Sequence, residues 1–370
     1  MLLSLLVPSV FACGGFVAEA GALAASDAQQ ALYDLGADEV SVTYRARYAG
    51  NAADFAWVIA VPGRIAEVAE GDADLLDEIE RASAPVVEID PAVNDAGSGC
   101  GCLQRTSLGD AKGDAGGSRG DTGVVVTGEG FAGDFEYTTL AATDADSLAT
   151  WLTERGYDVT RIENAIAAYV EDPLGYEFVA VQLLPSAPEV YGDGVTLAPL
   201  RIRYGAAADG ALHATFPARL GKSSSVETVR TEIFVLATGT AELGGGWSAP
   251  ENPEDGEYDL IGADYWDPSG MYRGFLQRLG GEERQMWRAY AGPYATDDGA
   301  SRWLTRYDAV VFPSTNTVDP VFTDSGNPTQ ATTAIYLQEE SAFEREHGSD
   351  TAWLLVPIGL LAGVGLRRRR

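Results

Sequence analysis

The feature that most constrains the fold is a pair of unlike strands near the start of the chain. From Glu39 to Tyr48 the residue types alternate strictly: Val40, Val42, Tyr44, Ala46 and Tyr48 share one face, and Ser41, Thr43, Arg45 and Arg47 the other. A period of two marks a strand buried on one side and wet on the other. Phe55 to Val61 is apolar throughout and stops at Pro62-Gly63, as in a central strand. With a turn at Gly50-Asn51, the two read as a hairpin-like pair. A chain that carries such a pair must assemble around a sheet.

The remaining chain supplies more strands than helices. Asp72 to Ala82 reads as a short acidic helix with Leu75, Leu76 and Ile79 inward, followed by a strand at Val86 to Ile89. From Asn94 to Gly123 large apolar residues nearly vanish, which predicts a loop with no core of its own. Strands resume at Val124 to Thr127 and Phe135 to Ala141. Thr143 or Asp144 then caps a helix with Ala145, Leu148, Trp151 and Leu152 on one stripe, and Gly156 stops it. Thr160-Arg-Ile-Glu163 has the spacing of a capping box, opening a second helix. Tyr176 to Leu184, Leu200 to Tyr204, Leu212 to Phe216 and Val229 to Ala237 continue the strand pattern.

Leu243 to Asp259 is rich in Gly, Pro and Glu and reads as a linker between a strand-rich part, 13–242, and a helical or mixed part, 260–337. In the latter, Gly270 to Leu279 and Glu282 to Tyr290 are expected as helices. Trp303 to Phe312, Asp319 to Phe322 and Ala334 to Leu337 follow as strand-like stretches. The fold class expected is α+β: a strand-rich extracytoplasmic domain with helices in blocks, plus one C-terminal transmembrane helix.

That last helix comes from the tail. A polar spacer, 338–350, leads into the uncharged run 351–366, which includes Trp353, Leu354, Leu355, Leu360, Leu361 and Leu366 and abuts Arg367, Arg368, Arg369 and Arg370. As a helix the run reaches about 24 Å, against about 30 Å of hydrocarbon, so Trp353 and snorkelling arginines must extend the span. The positive-inside rule puts the arginines in the cytoplasm and the bulk of the chain outside. Spacer, short apolar run and basic end also resemble prokaryotic sorting tags that are cut off after export. At the other end, residues 1–12 look like a signal peptide with Val10-Phe11-Ala12 as its cleavage site, though the basic n-region is missing. The expected address is the cell membrane, single-pass, with release or surface sorting after C-terminal processing as the variant.

The net charge is −30. Such a surface repels nucleic acid and anionic lipid, so nucleic acid is not an expected partner. High-salt adaptation and a GC-rich genome both account for the acidity, since Lys112 and Lys222 are the only lysines. Cys13, Cys100 and Cys102 are too few for a disulfide framework, though Cys13 could pair with either of the others, or carry a lipid in the loose lipobox Val10 to Cys13. Cys100-Gly-Cys102 has the wrong spacing for zinc. His213 and His347 lack a nucleophile motif around them, and no Gly-x-Ser-x-Gly elbow occurs. Asp110, Asp114 and Asp121 are weak candidates for calcium; no other cofactor is expected. Among the tryptophans, Trp57 and Trp151 sit in core-like patterns, whereas Trp247 and Trp266 lie in loops where they could stack on a sugar.

Several of these pieces together are similar to a secreted prokaryotic family, domain of unknown function 2330. They are Ala12-Cys-Gly-Gly-Phe16, Arg47-Tyr-Ala-Gly-Asn-Ala-Ala-Asp-Phe-Ala-Trp-Val58 with Val61-Pro62, the Cys100-Gly-Cys102 loop, Trp151-Leu152 with Gly156-Tyr157, and Leu304-Thr-Arg306 with Asp319-Pro-Val-Phe322. Ala60 stands where a second proline is expected. The resemblance implies export and frequently a C-terminal anchor; it implies no activity. The function expected is therefore an extracytoplasmic binding or structural role in the cell envelope, with a glycan or envelope-protein partner. An exported hydrolase using paired carboxylates is the alternative, and the abundance of acids prevents any pair from being chosen by sequence.

Overall fold

The computed structural model describes residues 15–18, 26–48, 55–84, 86–90, 123–184, 195–223, 228–249, 276, 284–296, 301–338 and 365–368. In chain order, β1 (Gly15–Ala18), β2 (Ser26–Leu35) and β3 (Val40–Tyr48) precede β4 (Phe55–Pro62) and β5 (Ile65–Glu70). Then come α1 (Ala73–Ala82), β6 (Val86–Asp90), β7 (Val124–Ala132) and β8 (Phe135–Ala142). Helices α2 (Ala145–Thr153) and α3 (Glu163–Val170) lead to β9 (Tyr176–Leu183), β10 (Val195–Thr196), β11 (Leu200–Tyr204) and β12 (Ala214–Thr215). The last strands are β13 (Val229–Ala237), β14 (Ala241–Gly244), β15 (Trp287–Ala295), β16 (Ser301–Val311), β17 (Val321–Asp324), β18 (Ala331–Gln338) and β19 (Gly365–Arg368).

Two sheets face each other. One runs β1-β4-β9-β8-β7; the larger runs β19-β18-β15-β16-β13-β2-β3-β11-β5, with β10 beside β3 and β6 beside β18. A small sheet, β12-β17-β14, closes one end of the core, to which it contributes Ala214, Phe322 and Ala241. The structure is strand-rich with few helices, as the sequence predicts.

The alternation of β3 is read correctly, but its pairing is not. Val40, Val42, Tyr44, Ala46 and Tyr48 are all buried, yet β3 pairs with β2 and β11, while β4 pairs with β1 and β9 in the other sheet. The two strands meet face to face instead of edge to edge: the Tyr48 ring stacks on Phe55 at 4.3 Å, and Tyr44 meets Trp57 edge-on at 6.1 Å. The physical reason is that β4 is apolar on both faces. Phe55, Trp57, Ile59 and Val61 point into the core between the sheets, and Ala56, Val58 and Ala60 into a second core under α2 and α3. A hairpin beside the half-wet β3 would leave that second face exposed.

The helices add an outer layer on each side. Asp72 caps α1 by accepting from the Leu75 amide at 3.0 Å, and Leu76 and Ile79 pack on Leu32, Phe234, Leu236 and Leu304 of the large sheet. Asp144 caps α2 through the Ser147 amide at 2.9 Å, and Gly156, at φ +90°, ends the turn beyond it. The capping box expected at Thr160 does not form. The Thr160 hydroxyl and amide bond Asp158 instead, and α3 starts three residues later behind Ile162, without a side-chain cap.

Two further corrections concern the C-terminal part. Helix was expected over 282–290, but Trp287–Ala295 is a strand whose Trp287, Ala289 and Ala291 are buried, and it pairs along β16. Its apolar residues at every second position fit a sheet face better than a helix stripe. Leu366, Arg367 and Arg368, expected at the end of a membrane helix, lie on β19 in register with Ile335, Ala334 and Thr333 of β18. Extended backbone there finds hydrogen-bonding partners along a strand edge. Among the described residues no helix is long and apolar enough to cross a membrane. Trp353, Leu354, Leu355, Leu360, Leu361, Arg369 and Arg370 lie outside the described residues.

Candidate functional site

The outer face of the large sheet carries a row of polar residues that the strand register lines up. Arg45 stands opposite Gln30, Gln30 opposite Glu232, and Glu232 opposite Asp308, across β3, β2, β13 and β16. In the next row Arg306 stands opposite Phe234. α1 covers one side of these rows, so residues on the alternate, solvent-facing positions of their strands are buried: Arg306 is 2% exposed, Asp308 0% and Glu232 4%.

Burying charge is costly unless every group is paired and hydrogen-bonded. Here Arg306 donates from Nη2 to Glu232 Oε1 at 2.9 Å and from Nε to Asp308 Oδ1 at 2.7 Å. Its Nη1 reaches the Glu80 carbonyl at 3.2 Å, a cation at the last turn of α1 where the helix dipole is negative. Gln30 Nε2 donates to Glu232 Oε2 at 2.6 Å and to Glu80 Oε2 at 2.9 Å. Arg45 donates from Nε to Gln30 Oε1 at 2.6 Å and from Nη1 to Asp77 Oδ1 at 2.5 Å. Arg230 also binds Glu232 Oε1. Burial works against the Arg230 charge, and Glu232 beside it more than restores it, so its pKa rises.

Beside this network opens a cavity of about 360 Å³, lined by Ala28, Gln29, Gln30, Arg45, Arg47, Asp77, Glu80, Thr196, Arg230 and Glu232. Three arginines and three carboxylates meet there, in a chain of net charge −30. The arrangement can hold a polar ligand by several hydrogen bonds. It does not present a carboxylate with a free oxygen at the buried position, because both Glu232 oxygens already accept from nitrogen donors.

A second polar centre lies at the end of the sandwich. Asp319, 6% exposed, accepts from the Arg219 amide at 2.9 Å and from Arg219 Nε at 2.8 Å, and the Arg219 guanidinium lies 4.0 Å over the Tyr169 ring. Burial pushes the Asp319 carboxyl up against the opposing pull of Arg219. Tyr33 and Tyr44 bond each other at 2.9 Å, and burial raises both hydroxyls well above the ordinary phenol range. The Arg219 contacts clasp the 3-10 turn at Ala218–Ser223 to the chain before β17 and to α3. The clasp explains the Asp319-Pro-Val-Phe322 block as structure: Phe322 packs its ring 5.8 Å from Tyr33 and 5.6 Å from Tyr307.

The sites expected from sequence fare differently. Trp247 is buried, with its indole donating to the Val318 carbonyl at 3.1 Å, so it offers no stacking platform. A loop position says nothing about burial, which is why the sequence misplaced it. His213 bonds Asp209 at 2.8 Å, and the bonds to Asp209 hold that carboxyl below its ordinary range. Cys13, Cys100, Cys102, Asp110, Asp114, Asp121, Trp266 and His347 lie outside the described residues. Among the described residues no three His, Cys, Asp or Glu side chains converge as a metal site. No sequence motif marks Arg45, Gln30, Glu232, Arg306 and Asp308 as a group. The available signal was a charged residue every second position inside otherwise apolar strands.

No curated protein sequence matches the chain. Two chains of solved structures match; one, described as the crystal structure of baculovirus P35, is 8% identical with a TM-score of 0.35, over 82% of this chain and 92% of that one. A family model matches residues 7–243, the span that holds every strand from β1 to β13 and the Arg45, Gln30 and Glu232 part of the polar rows, and by that match the chain belongs to DUF2330, uncharacterized protein conserved in bacteria.

Proposed function

We propose that the protein is an envelope binding protein, not a hydrolase. It works outside the cytoplasmic membrane, held there by its C-terminal apolar run or released from it, and takes a small polar ligand in the cleft beside α1. The observation that carries this reading is the pairing in the cleft. A buried catalytic carboxylate needs an oxygen free to take or give a proton, and Glu232, the buried one of the three, has none. Asp77 and Glu80 are more than a third exposed and each faces Arg45; Arg45 and Arg230 stand on strands and Asp77 on a capped helix. The signal-like residues 1–12 and the uncharged apolar run 351–365 support the address.

The test is a thermal-shift screen of the full-length protein against sugars, sugar acids and amino acids, at low and at molar salt, run beside Arg45→Ala. The reading expects at least one ligand to raise the melting temperature of the wild type, with the rise lost in Arg45→Ala. Turnover of a glycan substrate, or a ligand response that Arg45→Ala leaves intact, sinks it.

A further inference from the structure

The row of the large sheet next to Arg45–Gln30–Glu232 holds a gap. Thr196, Arg47, Ala28 and Arg230 stand opposite one another on β10, β3, β2 and β13. Neighbouring strands lie about 4.8 Å apart, so Arg47 and Arg230 are rooted about 10 Å apart with only the Ala28 methyl between them. Where the adjoining row is filled by Gln30, this one is open, and all four residues line the same cavity.

The two arginines differ in how they are held. Arg47 already has a partner within the protein. Arg230 is half-exposed, bonds Glu232 through Nη2 and lines the open cleft, so the rest of its guanidinium fork can take a ligand. Two guanidiniums flanking a methyl-floored notch match a compact oxyanion, because the guanidinium fork bonds two oxygens of a carboxylate or phosphate at once.

We infer that the ligand of this cleft is a small polar molecule carrying one compact oxyanion, carboxylate or phosphate, and that the anion seats over Ala28 between Arg47 and Arg230. This rests on the binding role proposed above and names its ligand class. The wider surface repels anions at long range, so the seat acts through short contacts, and its affinity rises as salt screens that repulsion before falling at higher salt.

The experiment is titration calorimetry on the full-length protein with sodium glucuronate, inorganic phosphate and neutral glucose, at fixed ionic strength. Saturable binding of glucuronate, phosphate or both, with glucose at least about tenfold weaker, is the expected result; the two anion arms tell a sugar acid from a free phosphate. Arg230→Gln should weaken the anion by about tenfold or more, and Arg230→Lys by less. Ala28→Leu, which changes no charge, should block it by filling the notch. Glucose binding as tightly as glucuronate and blocked by Ala28→Leu would overturn the anion assignment while leaving the cleft as a binding site. Anion binding indifferent to both Arg230→Gln and Ala28→Leu overturns the seat, and no binding by either anion overturns it as well. In that last case, a screen that also finds no ligand of any class removes the binding role too.

Discussion

Asp324 shows how single carboxylates hold this fold without belonging to a site. Its Oδ2 accepts from the Thr238 amide at 2.9 Å and the Thr238 hydroxyl at 2.6 Å, and its Oδ1 from the amides of Gly239 at 2.9 Å and Gly326 at 2.8 Å. Burial pushes this carboxyl up, but the four bonds together outweigh it and lower its pKa; the Ser147 hydroxyl and amide lower that of Asp144. A carboxyl whose folded pKa is depressed stabilises fully above its unfolded value and loses that contribution as pH falls through the folded value. The melting temperature should therefore be flat near neutrality and drop below about pH 4, the unfolded aspartate value. Asp324→Ala should lower it at neutral pH and make the acid drop shallower; thermal melts from neutral pH downward measure both. An unchanged acid slope in Asp324→Ala would mean that other groups carry the acid dependence.

At the scale of elements, the decisive step is the crossing from one sheet to the other after β4. Gly63 makes it at φ +122°, and a Cβ there would press on the Gly205 carbonyl oxygen. Gly63→Ala should cost about 1–3 kcal/mol, read by urea unfolding, as both the backbone conformation and the close approach resist a side chain. The sequence revealed β3 and β4 as strands because each shows an uninterrupted pattern. It did not reveal their separation, because pairing depends on β2, and β2 does not look like a strand. Ser26, Gln29, Gln30 and Asp34 break its apolar rhythm. Gln30 is polar because it serves the outer row under α1, so the residues that build the candidate site also concealed the strand that organises it. Arg306 and Asp308 lie in a stretch that the sequence marks as strand-like, but their burial depends on α1 packing over them, which no local pattern shows. In contrast, α1 and α2 were legible, since a capping aspartate and an apolar stripe are local signals.

Across the whole molecule the charge of −30 dominates. Self-repulsion destabilises a compact body, and added salt screens it over about 8–10 Å at physiological strength and about 3 Å at 1 M. The melting temperature should rise from about 0.05 M to about 1 M NaCl, and a flat or falling curve would remove repulsion as a factor. Four layers then share the work: α2 and α3, the five-stranded sheet, the large sheet, and α1, with the apolar core between the sheets supplying cohesion and the Glu232, Arg306 and Asp308 charges lying on the face under α1. The central claim is that this charged face exists to bind, not to stabilise. Replacing a buried ion-pair group as a unit by apolar residues is commonly neutral or stabilising, whereas removing one partner costs about 3–5 kcal/mol. The direct measurement is a pair of melting curves, with and without the ligand found by screening, for Arg306→Met alone and for the triple variant Glu232→Leu, Arg306→Met, Asp308→Leu. The account predicts that the single variant melts well below wild type, while the triple variant melts near or above wild type and no longer responds to ligand. A triple variant that melts far below wild type yet keeps the full ligand response would contradict it.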